Sequence, residues 1–319
     1  MRFVFTEDQI AFRDAVRDLL ANECSAAVVR AAWEGDGRAP GAWRALAEMG
    51  VLGAMAPEDA GGLGLSVVDL VLLAEETGYA ALPEPFVEHA LVAVPVLPEP
   101  GPAAAGEVTA TAAFGTAYVP FGADADLVLL DDDENVVCTA RGQFAARAAE
   151  SVDVSRRLAV VEFDEAEIVG DDAARAAAFD RGALGTAAQL IGVTRRMLDL
   201  TVAYVTERQQ FGVPIGSFQA VKHHLADARI ALEFARPLVY RAAWSLAAGD
   251  PDASVHVSMG KALASDAAVL TSTKTLQTHG AMGYSFEYDL HLFMKRAWAW
   301  AGAWGDAPWH RARVGRAVL

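Results

Sequence analysis

Apolar side chains recur at helical spacing through the first third of the chain. Thr6 is placed to cap a helix whose apolar positions are Ile10, Val16, Leu19 and Leu20. Two further segments of this kind end at a glycine, which is common just after a helix: 43–49 at Gly50 and 67–77 at Gly78. Between them, residues 56–64 are rich in glycine and proline and are predicted as a loop. The pattern predicts an N-terminal helical domain over residues 1–88.

Residues 89–175 change to the alternating and β-branched runs that are typical of strands. Five runs are predicted as strands: 108–114, 118–120, 127–130, 136–140 and 158–163. The segment 90–106 carries four prolines and is predicted to contain no helix. Two alanine-rich stretches, 142–148 and 172–178, are predicted as exposed loops or short helices. Together these features predict a small middle β-domain.

Helical periodicity returns in the last part of the chain, residues 176–319. Three long apolar-periodic segments contain few glycines or prolines and are predicted as helices: 183–207, 218–249 and 255–278. Segments of this length predict an up-and-down bundle of four helices. The predicted fold class is therefore α+β and mostly α, with an N-terminal helical domain, a reduced middle β-domain and a C-terminal four-helix bundle.

The composition excludes several classes of protein. The chain has 319 residues, of which 53% are hydrophobic and 21% charged, so it has enough apolar material for two or three packed units. Its formal net charge of −16 argues against a nucleic-acid partner, because phosphate backbones are bound by clustered lysines and arginines. No segment has the roughly 20 apolar residues that cross a bilayer. Acidic residues also stand where a signal peptide would place its apolar core. We expect a cytoplasmic protein with no membrane partner.

The residue types that most often hold metals or form disulfides give no pattern here. Cys24 and Cys138 are far apart in the sequence and show neither metal-ligand spacing nor a disulfide framework. His279 and His291 have no potential ligands at suitable spacing and are predicted to be ordinary helix-end histidines. The sequence therefore predicts no metal site.

Two polar segments at predicted helix ends carry residue types that bind an anionic dinucleotide. They are Arg-Gln-Gln-Phe-Gly at 208–212 and Gln-Thr-His-Gly-Ala-Met-Gly at 277–283. Arg208 offers a planar fork of donors that suits a pyrophosphate. The amides of Gln219 and Gln277 both donate and accept hydrogen bonds, which suits ribityl, ribose or adenine edges. Gly280 and Gly283 permit a ligand to approach the backbone closely.

These two segments resemble the flavin-contacting motifs of acyl-CoA dehydrogenases, and the likeness extends over nearly the whole chain. Three N-terminal segments are also similar to that family: Thr6-Glu7-Asp8-Gln9, the stretch 43–64 and Glu75-Glu76-Thr77-Gly78. In the family, the C-terminal segments contact FAD that is held mainly by a neighbouring protomer. The resemblance therefore implies FAD as cofactor, an acyl-CoA as substrate, and a set of cofactor contacts on this chain: Arg208, Gln210, Phe211, Gln219, Gln277, Gly280 and Ala281.

The chain departs from the family at the segments that bind the flavin ring and at the residue that deprotonates the substrate. Its middle part is shorter and lacks the Thr-Glu-Pro-x-x-Gly-Ser-Asp and Trp-x-Thr/Ser segments that hold the flavin in the family. In the family, the glutamate of a Glu-Gly pair removes the substrate's α-proton. The matching pair in this chain is Trp304-Gly305, and tryptophan cannot accept a proton. Some members place the base near residue 241, but Tyr240–Trp244 contains no carboxylate. Asp306 is the one nearby carboxylate that could substitute.

Four tryptophans lie close together near the C-terminus: Trp298, Trp300, Trp304 and Trp309. We expect them to fill space in the core or at an interface. A sharper interpretation is that they plug a vestigial active-site cleft or form the floor of a partner's substrate pocket.

Three hypotheses follow from these features. In the first, the chain is a non-catalytic subunit of an α₂β₂ acyl-CoA dehydrogenase of the actinobacterial, steroid-catabolic type. It then contributes FAD contacts to a longer partner that bears the catalytic base, and the substrate is a steroid-derived acyl-CoA. In the second, the chain is a self-sufficient homo-oligomeric enzyme with a relocated base such as Asp306. In the third, it is a flavin-free scaffold protein.

Overall fold

The computed structural model describes residues 4–35 and 38–319, and this part contains ten α-helices and nine strands. The N-terminal helices are α1 (Glu7–Glu23), α2 (Ala26–Glu34), α3 (Pro40–Glu48) and α4 (Val67–Ala80), followed by a π-helix (Val87–Ala93) and α5 (Gly101–Ala104). The middle strands are β1 (Ala110–Ala113), β2 (Tyr118–Val119), β3 (Leu127–Asp131), β4 (Val136–Ala140), β5 (Phe144–Ala148), β6 (Ala159–Phe163) and β7 (Glu167–Gly170). The C-terminal elements are α6 (Asp172–Glu207), β8 (Gln209–Gln210), β9 (Val213–Pro214), α7 (Gln219–Ala247), α8 (Ala253–His279), α9 (Leu290–Gly302) and α10 (Ala307–Val318).

The helix limits confirm one local prediction and correct another. Thr6 caps α1: its hydroxyl accepts a hydrogen bond from the Gln9 backbone at 3.2 Å, and the Gln9 side chain accepts one from the Thr6 backbone at 2.9 Å. The prediction that the helix from residue 67 ends at Gly78 is wrong, because α4 continues to Ala80. Gly78 lies instead where α4 meets α6, and a Cβ there would stand 2.2 Å from the carbonyl oxygen of Gln189. This glycine permits close helix packing rather than ending a helix.

Three segments differ from their predicted structure for local reasons. The segment 90–106 contains most of the π-helix, which precedes the first proline, and α5, whose proline lies in the first turn where no backbone N–H is needed. The stretch 142–148 contains strand β5, because its backbone pairs with β6 along the whole strand. The stretch 172–178 is the start of α6, which is capped by Asp171 and therefore begins well before residue 183.

The strands form two small sheets, ordered β1-β3-β4-β7 and β2-β6-β5. Strands β1 and β3 are parallel, and the other pairs are antiparallel. Successive side chains of β3 face opposite sides: Leu129 joins the main core with the helices, whereas Val128 packs in a smaller core with Ala113 and Val119. The four-stranded sheet thus lies between the helical part and the second sheet.

The main apolar core runs from the N-terminal helices into the C-terminal bundle, where α8 packs against α6, α7, α9 and α10. The mostly helical architecture with a small β part confirms the predicted fold class. The domain boundaries at residues 88 and 175 stay predictions. Both cysteines are free thiols. Within the described ranges, no helix is both long and apolar enough to cross a membrane.

Candidate functional site

The seven residues predicted to contact a cofactor lie at one end of the bundle, where α6 and α8 end and α7 begins. Two contacts hold these helix ends together. The His279 ring stacks on that of Tyr204 with centroids 4.3 Å apart, and the Lys274 ammonium lies 3.0 Å from the Asp227 carboxylate. The structure therefore brings the two predicted segments together in one place. We call this the bundle-end surface, formed by Arg208, Gln210, Phe211, Gln219, Gln277, Gly280 and Ala281.

A tight hairpin projects from this surface between β8 and β9. Its two central residues, Phe211 and Gly212, both adopt left-handed backbone conformations, with φ of 54° and 77°. Such two-residue turns favour asparagine and glycine, because a larger side chain is strained there. Phe211 is nevertheless present and is 93% exposed to solvent. A strained and exposed aromatic residue at a hairpin tip is poorly suited to the isolated chain and well suited to contact with another molecule.

The remaining members of the bundle-end surface are also exposed. Arg208 has no carboxylate partner within the part of the chain that the structure describes. Gln210 donates to the Gln209 carbonyl oxygen at 2.7 Å within its own hairpin. Gly280 has φ of 59° and turns the chain from α8 into a short 3₁₀ segment. This donor set fits one side of an anionic dinucleotide such as FAD, and its exposure leaves it open toward a cofactor seated on another chain.

The position where the family's base is expected is filled by an aromatic side chain. Trp304 is 8% exposed, and its ring meets those of Phe114 and Phe179 edge-on, with centroids 5.5 Å and 5.9 Å apart. A Cβ at Gly182 would stand 2.5 Å from the indole of Trp304. The ring fits against α6 only because residue 182 is a glycine. The Trp304 side chain also acts on the buried Glu88, where it opposes the rise in pKa that burial causes. The tryptophan is thus built into the fold at this position.

The backbone around Trp304 is fixed by two buried groups. The Lys261 ammonium donates to the carbonyl oxygens of Ala301 at 3.1 Å and Gly305 at 3.0 Å, and to the Ser265 hydroxyl at 3.1 Å. His310 Nε2 lies 2.9 Å from the Trp304 carbonyl oxygen. Burial lowers the pKa of Lys261 to about 7 and that of His310 to about 4, so the imidazole is neutral and donates from Nε2.

Beside this loop a cleft of about 840 Å³ opens between β1 and the C-terminal helices. Its apolar walls are aromatic, and three arginines and three aspartates line it: Phe114, Phe179, Trp304 and Trp309, with Arg156, Arg175, Arg313, Asp131, Asp133 and Asp306. We call this the Trp304 cleft. Arg175 and Arg313 already pair with Asp172 at 2.7 Å and Asp180 at 2.5 Å.

Neither alternative position for a base offers a free carboxylate. Asp306 caps α10, where its side chain accepts a hydrogen bond from the Trp309 backbone at 2.8 Å, and it is exposed. On α7, the Tyr240 hydroxyl donates to Glu75 at 2.6 Å, and Arg241 pairs with Asp250 at 3.2 Å. Asp306 borders the Trp304 cleft but is used as a helix cap, and the groups on α7 are used in contacts within the fold.

Sequence inspection missed Glu88, Arg156 and Lys261. Glu88 and Lys261 are isolated charged residues, and Arg156 stands next to Arg157. Charged residues of this kind normally lie on a solvated face. The one available signal was Lys261, which is the only lysine or arginine in the run Val255–Thr273 of mostly small and apolar residues. Among the four tryptophans, Trp300 and Trp304 are buried, whereas Trp298 and Trp309 are exposed. His279 and His291 are buried at the ends of α8 and α9, and no group of metal-ligating side chains occurs in the described ranges.

Comparison with known proteins agrees with this architecture. The acyl-CoA dehydrogenase N-terminal domain matches residues 6–102, and the acyl-CoA dehydrogenase C-terminal domain matches residues 170–319. Acyl-CoA dehydrogenase IpdE2 of Mycolicibacterium smegmatis is 35% identical over 299 residues, which cover 92% of this chain and 93% of that protein. Acyl-CoA dehydrogenase FadE34 of Mycobacterium tuberculosis is 33% identical over 333 residues, which cover 95% of this chain and 47% of that protein.

Solved structures share the whole fold. The ChsE4–ChsE5 complex from Mycobacterium tuberculosis superimposes with a TM-score of 0.90 and 25% identity, covering 99% of this chain and 98% of that one. The Tcur3481–Tcur3483 steroid ACAD G363A variant gives a TM-score of 0.87 at 24% identity, covering 97% of both chains, a likeness of fold alone. The chain belongs to the acyl-CoA dehydrogenase family, whose members are oxidoreductases that act on acyl-CoA.

Proposed function

We propose that this chain is the non-catalytic subunit of a heteromeric, FAD-dependent acyl-CoA dehydrogenase. It acts in the cytoplasm in an α₂β₂ assembly with a longer partner subunit that bears the catalytic base. The observation that carries the proposal is the packing of Trp304 at the position of the family's base, against Phe114, Phe179 and Gly182. The similarity to one chain of the ChsE4–ChsE5 complex supports a partner of the same family.

In this assembly the bundle-end surface contacts FAD that the partner holds. Arg208 pairs with the pyrophosphate, and Phe211 packs against the adenine half. The amides of Gln219 and Gln277 bond to ribityl, ribose or adenine edges, and Gln210 adds a further amide once it leaves its hairpin bond. Gly280 and Ala281 let the cofactor approach the backbone closely. These residues bind and orient, and none of them transfers a proton.

The reaction is α,β-desaturation of an acyl-CoA thioester. FAD supplies the acceptor for the hydride that leaves the acyl chain. The partner's carboxylate takes the α-proton. Since this chain places an indole where that carboxylate would stand, its own residues carry no step of proton transfer, and we assign it no catalytic residue.

A bulky, steroid-derived acyl group is our proposal for the substrate class. The fold shared with the Tcur3481–Tcur3483 steroid dehydrogenase is consistent with that class. Turnover of a steroid side-chain acyl-CoA at least tenfold faster than that of butyryl-CoA by the assembled enzyme would support it. Equal or faster turnover of butyryl-CoA would contradict it.

The proposed division of labour is tested by two substitutions in the assembled enzyme. Replacing the partner's catalytic glutamate by glutamine should abolish desaturation with FAD still bound, whereas Asp306→Asn in this chain should leave the rate unchanged. The reverse result would establish the self-sufficient enzyme with Asp306 as base. Full desaturation by a partner that has been separated from this chain, with its FAD retained, would indicate the scaffold role instead.

A further inference from the structure

A small pocket opens where five helices meet: α1, α2, α4, α6 and α9. It shares no lining residue with the Trp304 cleft, and none of its residues belongs to the bundle-end surface. We call it the Arg196 pocket and define it by Arg17, Leu20, Ala21, Tyr79, Arg196 and Phe293. The pocket therefore lies outside both parts of the molecule to which a function has been given above.

Arg196 is held by aromatic rings and has no carboxylate partner. Its guanidinium carbon lies 5.2 Å from the ring centres of both Tyr79 and Phe293. Among residues 4–35 and 38–319, no carboxylate lies within 4.0 Å of it, and its one side-chain hydrogen bond is long, 3.5 Å to the Tyr79 hydroxyl. Asp199, nearly one turn further along α6, accepts from that hydroxyl at 3.0 Å. The rings fix a guanidinium that has unused donors, which prepares it to bind an anion.

The other charged groups of the pocket are already paired. Arg17 lies 3.0 Å from the Asp14 carboxylate and 3.1 Å from that of Glu76. Glu76, which also lines the pocket, is buried and pairs in addition with Arg195 at 2.6 Å. The lining thus contains two guanidinium groups and one carboxylate, an excess of one positive charge. A ligand with a single negative charge balances this excess, whereas a dianion would leave negative charge next to Glu76.

The pocket has room only for a small ligand. Its volume of about 210 Å³ corresponds to roughly seven water molecules and lies below the range of pockets that hold larger ligands. Leu20, Ala21 and Phe293 give it apolar walls. A carboxylate matches the planar fork of the Arg196 guanidinium, and an alkyl part of about three carbons matches the remaining volume.

We infer that the Arg196 pocket binds a short-chain monocarboxylate. The carboxylate pairs with Arg196, and the alkyl part packs against Leu20, Ala21 and Phe293. A ligand there connects α6 and α9 of the C-terminal bundle with α1 and α4 of the N-terminal part. The inference does not depend on the proposed role of the chain in an enzyme, because every group that defines the pocket belongs to this chain.

Butyrate and its neutral analogue butyramide test the role of charge. Both are titrated calorimetrically, at constant pH and ionic strength, into the full chain together with any subunit that co-purifies. We expect butyrate to bind at least tenfold more tightly than butyramide, since a charge-assisted bond to arginine accounts for about a factor of ten or more. Equal affinity for the two probes, or no saturable binding of butyrate, would overturn the proposal.

Octanoate tests whether the ligand is enclosed in a small space. On an unrestricted apolar surface each added methylene strengthens binding about fourfold, so octanoate would exceed butyrate by roughly two orders of magnitude. The Arg196 pocket has no room for four further methylenes, and we expect the two acids to bind within about tenfold of each other. A hundredfold advantage of octanoate would place the acids in a larger cleft or on an open surface and contradict the proposal.

Two variants locate the site, each with a matched control. Arg196→Gln should reduce the preference for butyrate over butyramide to about one, whereas Arg229→Gln, which removes an exposed arginine paired with Glu233, should preserve it. Ala21→Trp fills the pocket from an exposed position on α1 and should weaken butyrate binding at least tenfold, whereas its exposed neighbour Asn22→Trp should not. A preference that survives Arg196→Gln, or binding that ignores Ala21→Trp, would show that butyrate binds elsewhere and contradict the proposal.

Discussion

The imidazole of His279 stacks on the ring of Tyr204, with centroids 4.3 Å apart and planes 22° apart. Tyr204 lies in the last turn of α6 and His279 is the last residue of α8, so the contact joins the two segments of the bundle-end surface. Burial lowers the pKa of His279, and its Nδ1 bonds to the Thr275 carbonyl oxygen at 2.8 Å. The neutral His279 ring is therefore fixed in place. It sets the distance between Arg208 and Gln277, two of the proposed cofactor contacts.

Arg208→Ala should remove the strongest of those contacts. In the assembled enzyme we expect the dissociation constant for FAD to rise about 10- to 100-fold, the range for losing a charge-assisted hydrogen bond. Flavin fluorescence after dilution measures this change. Arg229→Ala, which removes an exposed arginine paired with Glu233 on α7, serves as the control and should leave FAD binding intact. Equal effects of the two variants would indicate general electrostatics rather than a defined contact.

Phe211→Asn should stabilise the isolated chain while weakening the assembly. Asparagine tolerates φ of 54° better than phenylalanine does, so thermal unfolding should show a gain of up to about 1 kcal/mol. The same substitution removes the exposed ring and should reduce the FAD content of the assembled enzyme. A variant that loses stability and keeps its flavin would show that Phe211 serves the hairpin alone.

Asp306 can be tested separately as a helix cap and as a base. Asp306→Asn keeps an effective capping residue and removes the carboxylate, whereas Asp306→Ala removes both. We expect both variants to retain the desaturation rate, and only Asp306→Ala to lose about 1 kcal/mol of stability. Loss of activity by three orders of magnitude in both variants would identify Asp306 as the base.

Lys261 should make stability depend on pH. Its pKa is lowered from 10.5 to about 7 by burial, so between these values the unfolded chain binds one more proton than the folded chain. The free energy of unfolding attributable to this group therefore rises as pH increases from about 7 to 10, by about 1.4 kcal/mol per pH unit. Lys261→Met should remove that slope in denaturant titrations at several pH values. Parallel pH profiles for the two proteins would contradict the buried, easily deprotonated state of Lys261.

Much of the fold follows from the sequence, because long amphipathic helices and their caps are encoded locally. Thr6 with Gln9 fixes the start of α1 within four residues, and the polar segments after α6 and α8 meet because consecutive long helices reverse direction. The π-helix and β5 were not predicted, since tertiary contacts decide them. β5 is mostly exposed alanine, and only its pairing with β6 makes it a strand.

The candidate site also has one part that could be predicted from the sequence and one part that could not. The bundle-end surface consists of two contiguous segments and Gln219, and it could be located from sequence. The surroundings of Trp304 could not, because they come from distant parts of the chain. Glu88 belongs to the π-helix, Arg156 precedes β6, and the carbonyl oxygens that hold Lys261 lie some 40 residues later. Burial of a charge that is satisfied by remote carbonyl groups has no local signature.

The most direct test of the account is the flavin content of this chain purified alone and together with its longer partner, measured from the visible spectrum and the subunit ratio. We predict a colourless chain alone, and a yellow complex with equal numbers of the two subunits and one FAD per pair. A yellow homo-oligomer of this chain that desaturates an acyl-CoA without a partner would contradict the division of the site between two subunits.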